Sequence, residues 1–323
     1  MNRAALAFLA TCVSLTGLQA TAAESAFPAR SVRLIVPFPP GGLNDLASRL
    51  VANQLNALWG RAVIIDNRGG AGGNVGAEIA AKANPDGYTL FVVSTTIASN
   101  VALYSKLAYD LKRDFAPISA LVSGAYVLVV NPSVPASSVR ELIQLAKAQP
   151  RKLNFSSFGE GGSAHLTGEL FKRLAGVDIV HVPYKGGGPA LAAVMSGEVQ
   201  MTFANLSVAL PQIKAAKVKA LAVTSMTRKD ALPGMPSLEE IGLKGFDATS
   251  WVGLLAPART PRNLIVKLNQ DVRTVLSNAE MVRQLEAQSL EPFPTTPEEL
   301  GKHIAAEIER WGKVARDAGV RLE

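Results

Sequence analysis

The chain has 323 residues, 48% of them hydrophobic, with three histidines, one cysteine and a formal net charge of +7. Such a composition is globular, with enough apolar content for one large domain or two smaller ones. A lone cysteine excludes a disulfide framework, and no basic run interleaved with aromatics invites nucleic acid as a partner.

Residues 1–23 have the pattern of a secretory signal peptide. Asn2-Arg3 gives a positive end, the stretch from Ala4 to Leu18 is mostly apolar, and Ala20-Thr21-Ala22 or Thr21-Ala22-Ala23 fits the cleavage pattern. Leu9-Ala10-Thr11-Cys12 fits a lipoprotein box poorly, since Thr precedes the cysteine. Cleavage would remove Cys12, and with it thiol catalysis and cysteine–metal sites, and would take the charge from +7 to +6 with the loss of Arg3. No later stretch reaches about 18 uninterrupted apolar residues, so a soluble mature protein outside the cytoplasm is expected.

Short apolar strands then alternate with amphipathic helices, the α/β pattern with a mainly parallel sheet. A strand over 32–36 runs into Pro37-Phe38-Pro39-Pro40-Gly41-Gly42, and a helix begins near Asn44 with Leu46, Leu50, Val51, Leu55 and Leu58 on one face. A second strand over 62–66 leads through a glycine-rich turn to a helix over 75–83. Pro85-Asp86-Gly87 then turns into a β-prone run over 88–94 that ends in Ser94-Thr95-Thr96.

Next come a strand over 125–130, a helix capped by Ser137 or Ser138 and ending at Ala148, and a strand over 153–157. The turn Phe158-Gly159-Glu160-Gly161-Gly162-Ser163 opens a helix near Ala164-His165. A strand over 179–182 leads through Pro183-Tyr184-Lys185-Gly186-Gly187-Gly188 to a helix with Pro189 in its first turn. Strands over 201–204 and 220–224, with a helix over 210–216 between them, precede a Pro/Gly-rich connection over 232–245. A strand over 250–256 and helices over about 262–277 and 297–318 complete the chain.

Four strand-to-helix turns are rich in glycine: 39–42, 69–76, 159–163 and 186–188. In an open parallel sheet such turns line the crevice at the carboxyl ends of the strands. Helix N-termini and backbone N–H groups gathered there suit an anion. Asn74 and Asn205 lie near such turns and can donate to a carboxylate without a net charge. Asp45 either caps its helix or bonds an amino or hydroxyl group of a ligand.

Enzymatic motifs are weak by contrast. Gly159-Glu160-Gly161-Gly162-Ser163-Ala164 fits G-x-G-x-x-A, but Asp178 stands at the wrong end of the next strand for a dinucleotide site. There is no G-x-S-x-G elbow and no phosphate-binding G-x-x-x-x-G-K-[ST] loop. His165 and Glu169 are four apart on a helix, yet a metal site lacks a third ligand. His165 is expected to bond a neighbouring loop, beside the ligand. His181 is expected in the core or facing a hinge, His303 on the surface, and Trp251 in the core or lining a cleft.

Several of these stretches together resemble the Bug family, the periplasmic solute-binding proteins of tripartite tricarboxylate transporters. They are Pro37-Phe38-Pro39-Pro40-Gly41-Gly42 with Asp45 and Arg49, Asn67-Arg68 through Gly76, and Pro85-Asp86-Gly87-Tyr88-Thr89-Leu90. His181-Val182-Pro183-Tyr184-Lys185-Gly186, Leu221-Ala222-Val223-Thr224 and Trp251-Val252-Gly253-Leu254 with Ala256-Pro257 extend the match along nearly the whole mature chain.

The resemblance implies two α/β lobes around a cleft, 27–124 plus 246–323 and 125–245, joined by two crossovers. It implies a monomer that closes on a small carboxylate and delivers it to a membrane permease, with no catalysis, cofactor or metal. The implied site takes Phe38, Pro40, Gly41, Gly42, Asn44 and Asp45 from the first turn, Asn74 from the second, and Ser94 and Thr95. From the other lobe it takes Ser157, Gly159, Glu160, Gly161, Ser163 and His165, then Tyr184, Lys185 and Gly186, and finally Asn205.

This chain departs from the family pattern twice. Asn44 stands where a Ser or Thr is common, and Ser157-Phe158-Gly159-Glu160-Gly161-Gly162 replaces the commoner Ser-Ser-Gly-x-Gly-Ser. Phe158 and Glu160 favour a ligand with an apolar, aromatic or positively charged part. The alternatives are a carboxylate sensor for a signalling partner and an exported α/β hydrolase.

Overall fold

Strand β1 (Val32–Val36) is an apolar run stopped by Pro37, which has no N–H for a further ladder bond. The computed structural model describes residues 27–226 and 231–322; the expected signal segment over 1–23 lies outside the described residues. After β1 come α1 (Leu43–Trp59), β2 (Val63–Asn67), α2 (Asn74–Ala81), β3 (Thr89–Ser94), α3 (Thr95–Leu103) and the long β4 (Phe115–Val130). The chain continues through α4 (Val139–Ala148), β5 (Asn154–Ser157), α5 (Ser163–Ala175), β6 (Val180–Pro183), α6 (Gly187–Ser196), β7 (Met201–Asn205), α7 (Leu206–Lys214) and β8 (Lys219–Val223). It ends with β9 (Thr249–Pro257), α8 (Arg262–Leu276), α9 (Ala279–Ala287), β10 (Glu291–Pro292) and α10 (Pro297–Asp317).

The strands form one sheet in the order β2-β1-β3-β9-β4-β7-β5-β6, with β8 and β10 also paired to β4. β1, β2 and β3 are parallel to one another, and β5 is parallel to β6 and β7. Between these parallel sets run β9 and β4, antiparallel to their neighbours. β4 changes partner in mid-strand: Ala125 is the last residue opposite β9, and Tyr126 is already opposite Asn205 of β7. Both parallel sets therefore point the carboxyl ends of their strands toward the middle of the molecule, where Tyr126 lies.

Two large apolar clusters hold the halves of the sheet. One packs Val51 and Leu55 of α1 and Leu268 and Val272 of α8 against Leu34 and Leu90. The other surrounds Phe155, Phe171 and Phe203 and also takes in Leu103 of α3 and Trp311 of α10. Each fully buried side chain of this size contributes about 1.5–3 kcal/mol through removal of apolar surface from water.

Several elements differ from expectation for local reasons. α3 is unanticipated because Thr95-Thr96-Ile97 is β-branched and reads as strand, yet the buried setting overrides that propensity. β4 begins ten residues early, at Phe115, accommodating Pro117 at a register shift between Pro117 and Ser119. α7 starts at Leu206, and both α9 and the short β10 are additional elements. On α1 the buried face runs through Leu43, Ala47, Val51 and Leu55, while Leu58 is 48% exposed. His303 is half-buried, edge-on to Trp251 and Phe293, and not a surface residue.

Candidate functional site

Five helices begin around a single cavity. α1 brings Gly42, Leu43 and Asn44, with Phe38 and Pro39 from the turn before it, and α3 brings Ser94, Thr95 and Thr96. From the opposite side α5 brings Ser163 with Phe158, α6 brings Gly187 and α7 brings Asn205. Tyr126 of β4 and Ser250 and Trp251 of β9 form the floor.

The N-cap residues of these five helices make no side-chain capping bond, nor do those of α2 and α8 away from the cavity, whereas Ser138, Asn278 and Thr296 cap α4, α9 and α10. The first turns of a helix have N–H groups with no intrahelical partner and a partial positive charge. Leaving them uncapped around one cavity creates an anion site without a charged side chain. Among the described residues that line it there is no Lys, Arg, His, Asp or Glu.

Neutral polar groups complete the lining in ordered pairs. Tyr126 donates its hydroxyl to Ser163 Oγ at 2.7 Å, and Ser163 Oγ lies 3.0 Å from Thr96 Oγ1, which also accepts the Ser163 N–H at 3.3 Å. Burial pushes the Tyr126 phenol up, so it remains a donor throughout the neutral range. Asn205 Nδ2 donates to Ser250 Oγ at 2.9 Å, and that hydroxyl donates to the Gly124 carbonyl at 2.9 Å. Thr95 Oγ1 accepts the backbone N–H of Trp251 at 3.1 Å, tying α3 to β9.

Of the residues anticipated from sequence, Phe38, Gly42, Asn44, Ser94, Thr95, Ser163 and Asn205 line this cavity. The others lie outside the lining. Pro40 is exposed, and the Gly41 N–H donates to Asp45 Oδ2 at 3.1 Å, so Gly41 offers no free donor. Asp45 is 5% exposed and faces away, accepting Arg49 Nε at 3.0 Å and Asn67 Nδ2 at 3.1 Å. Burial alone would raise the Asp45 carboxyl, but the bonds from Arg49, the Gly41 amide and Asn67 hold it below the usual carboxylate range.

Asn74 braces the second turn instead, its Oδ1 accepting from Asn100 Nδ2 and the Tyr109 hydroxyl at 2.8 Å each. That turn supports the first: a Cβ on Gly73 would lie 2.8 Å from Ile97 Cδ1 and 3.2 Å from the Phe38 ring. Ser157 lies behind the wall, between the Gly159 carbonyl at 2.9 Å and His181 Nε2 at 2.6 Å. The Gly161 N–H donates to His165 Nδ1 at 3.0 Å, so His165 bonds the neighbouring turn as expected without reaching the cavity.

Glu160 and Lys185 are exposed, and the Tyr184 hydroxyl donates to Glu198 Oε1 at 2.7 Å, away from the site. Gly159 and Gly186 shape their turns with φ of +145° and +120°, conformations that favour glycine. Gly186 lets its turn approach Pro39, 3.4 Å from where its Cβ would stand, so Gly187 rather than Gly186 reaches the cavity. Pro39, Leu43, Thr96, Tyr126 and Ser250 line the cavity and were not anticipated. Tyr126 gives no sequence signal at all, being one apolar-flanked aromatic in a strand.

The profile described as "Tripartite tricarboxylate transporter family receptor" matches residues 47–320. The chain belongs to that family. Protein BugT of Bordetella pertussis is 35% identical over 320 residues, covering 98% of each chain. An R. palustris protein solved with adipate is 36% identical, with a TM-score of 0.89 over 91% of this chain and 99% of that one. MatC from Rhodopseudomonas palustris with bound malate is 33% identical, with a TM-score of 0.84 over 89% of this chain and 99% of that one. The family is one of solute-binding receptors. No described helix is long and apolar enough to cross a membrane.

Proposed function

We propose that this protein captures a small carboxylate in the cavity and presents it to a tripartite tricarboxylate transporter in the periplasm. The observation that supports this reading is the set of five uncapped helix N-termini around a cavity without ionised side chains. Such a site stabilises a carboxylate through backbone N–H groups and hydroxyls, and leaves it free to dissociate at the permease. Relatives solved with adipate and malate favour the same ligand class.

In this reading 27–124 plus 246–323 form one lobe and 125–245 the other, and the two close on the ligand. Phe38, Gly42, Asn44, Ser94, Thr95, Ser163 and Asn205 hold it, with Tyr126, Thr96 and Trp251. The protein acts as a monomer, exported by its signal segment, and performs no catalysis. Phe158 and Trp251 at the cavity favour an apolar or aromatic portion in the ligand. Glu160, exposed and outside the cavity, withdraws the case for a positively charged one.

Mass spectrometry of small molecules retained through a native purification, followed by calorimetry with the identified compound, tests the reading. A carboxylic acid bound at one site per chain is expected. A retained ligand without a carboxylate would overturn it.

A further inference from the structure

Most polar side chains of the cavity satisfy one another, through the pairs Tyr126–Ser163 and Asn205–Ser250. Two do not. Asn44 Oδ1 and Ser94 Oγ are buried with no hydrogen-bond partner among the described residues. Ser94 is 5% exposed and occupies the N-cap position of α3, yet its hydroxyl makes no capping bond. β1 and β3 are adjacent and parallel, so the turns that follow them bring Asn44 and Ser94 to the same wall.

Buried polar atoms are nearly always paired, and an amide oxygen accepts but cannot donate. A carboxylate also only accepts. It matches the helix N–H groups and leaves Asn44 Oδ1 without a proton. We infer that the ligand has a hydroxyl beside its carboxylate, donated to Asn44 Oδ1, with Ser94 Oγ as the neighbouring partner. The protein is then selective for 2-hydroxy acids over the same acids without the hydroxyl. An ammonium would also donate, but five helix N-termini make the cavity positive and no carboxylate lines it to compensate the charge.

This inference rests on the carboxylate reading above, and one titration series separates the two. The purified protein is titrated calorimetrically with succinate, malate and aspartate, and with phenylacetate, mandelate and phenylglycine. In whichever skeleton binds, the hydroxy acid should bind about tenfold or more tightly than the unsubstituted acid, the amino acid being weakest. Asn44→Ala should abolish that preference, weakening the hydroxy acid about tenfold more than the unsubstituted acid, with a melting temperature near that of the parent. Equal binding of malate and succinate and of mandelate and phenylacetate overturns the inference and leaves the carboxylate reading standing. So does a hydroxyl preference that survives in Asn44→Ala, or an amino acid that binds tightest. Binding by none of the six acids overturns the inference, while the carboxylate reading stands or falls on the retained-ligand measurement.

Discussion

Trp251 and Trp311 donate their indole N–H groups to the same oxygen, Oε2 of Glu307, each at 3.0 Å. Trp251 lines the cavity, while Trp311 is buried in the apolar cluster around Phe155 and Phe203. Glu307 lies on α10 and is 6% exposed, with Arg310 Nη1 3.3 Å from its other oxygen. One carboxylate thus joins the cavity floor, the last helix and the core of the other half of the sheet.

Removing that carboxylate leaves two buried indole donors unpaired. Glu307→Leu should lower unfolding free energy by about 2–4 kcal/mol, read from chemical denaturation. Glu307→Gln keeps an acceptor oxygen and should cost clearly less. Ligand binding should change tryptophan emission through Trp251, so Trp251→Phe removes the signal. Trp59, bonded to Asp271 at 2.8 Å and outside the cavity lining, should be dispensable for it.

Acid should destabilise the protein in two windows. Burial, with the charges of His165 and Lys172, depresses the His181 imidazole from 6.5 to about 3, against a smaller opposing effect of Glu169. The His181 ring is stacked on that of His165 with centroids 3.6 Å apart. The unfolded chain therefore takes up a proton near pH 6.5 that the folded chain refuses until about pH 3. Stability contributed by neutral His181 is full above 6.5 and is lost as pH falls between those values, about 2 kcal/mol by pH 5. Asp45, held below its ordinary value, adds a second loss only below about pH 4. His181→Phe should flatten the dependence of melting temperature on pH between 7.5 and 4.5. An unchanged slope would assign the acid loss to other groups.

The glycine turn over 69–76 should matter for stability before binding. Gly73 has φ +95°, and its missing Cβ makes room for Ile97 and Phe38. Gly73→Ala should cost about 1–3 kcal/mol through overpacking and backbone strain, seen as a lower denaturation midpoint. Because Phe38 is one of the displaced neighbours, some loss of affinity should accompany it.

Much of the fold was legible because strand-to-helix turns announce themselves through glycine, proline and a change of periodicity. Phe38, Gly42, Ser163 and Asn205 followed from that signal. Asp45, Asn74 and His165 show its limit: in sequence a polar residue beside a glycine turn looks the same whether it faces the cavity or holds the turn from behind. Which occurs depends on partners distant in sequence, namely Asn67 for Asp45 and Tyr109 for Asn74. Tyr126, Ser250 and Trp251 reach the site because β4 and β9 cross the middle of the sheet, a pairing fixed by topology and not by local pattern.

The central claim is that backbone N–H groups at the uncapped helix starts hold a carboxylate, and Gly42→Pro tests it most directly. Gly42 is the N-cap of α1 with φ −94°, near the range proline prefers, so the substitution deletes a donor while leaving the helix start largely intact. Calorimetry with the bound acid, alongside a melting curve, should show affinity lowered about tenfold or more with only a small shift in melting temperature. Undiminished binding, or a loss no larger than the fall in stability explains, would contradict the account and return the turn to scaffolding.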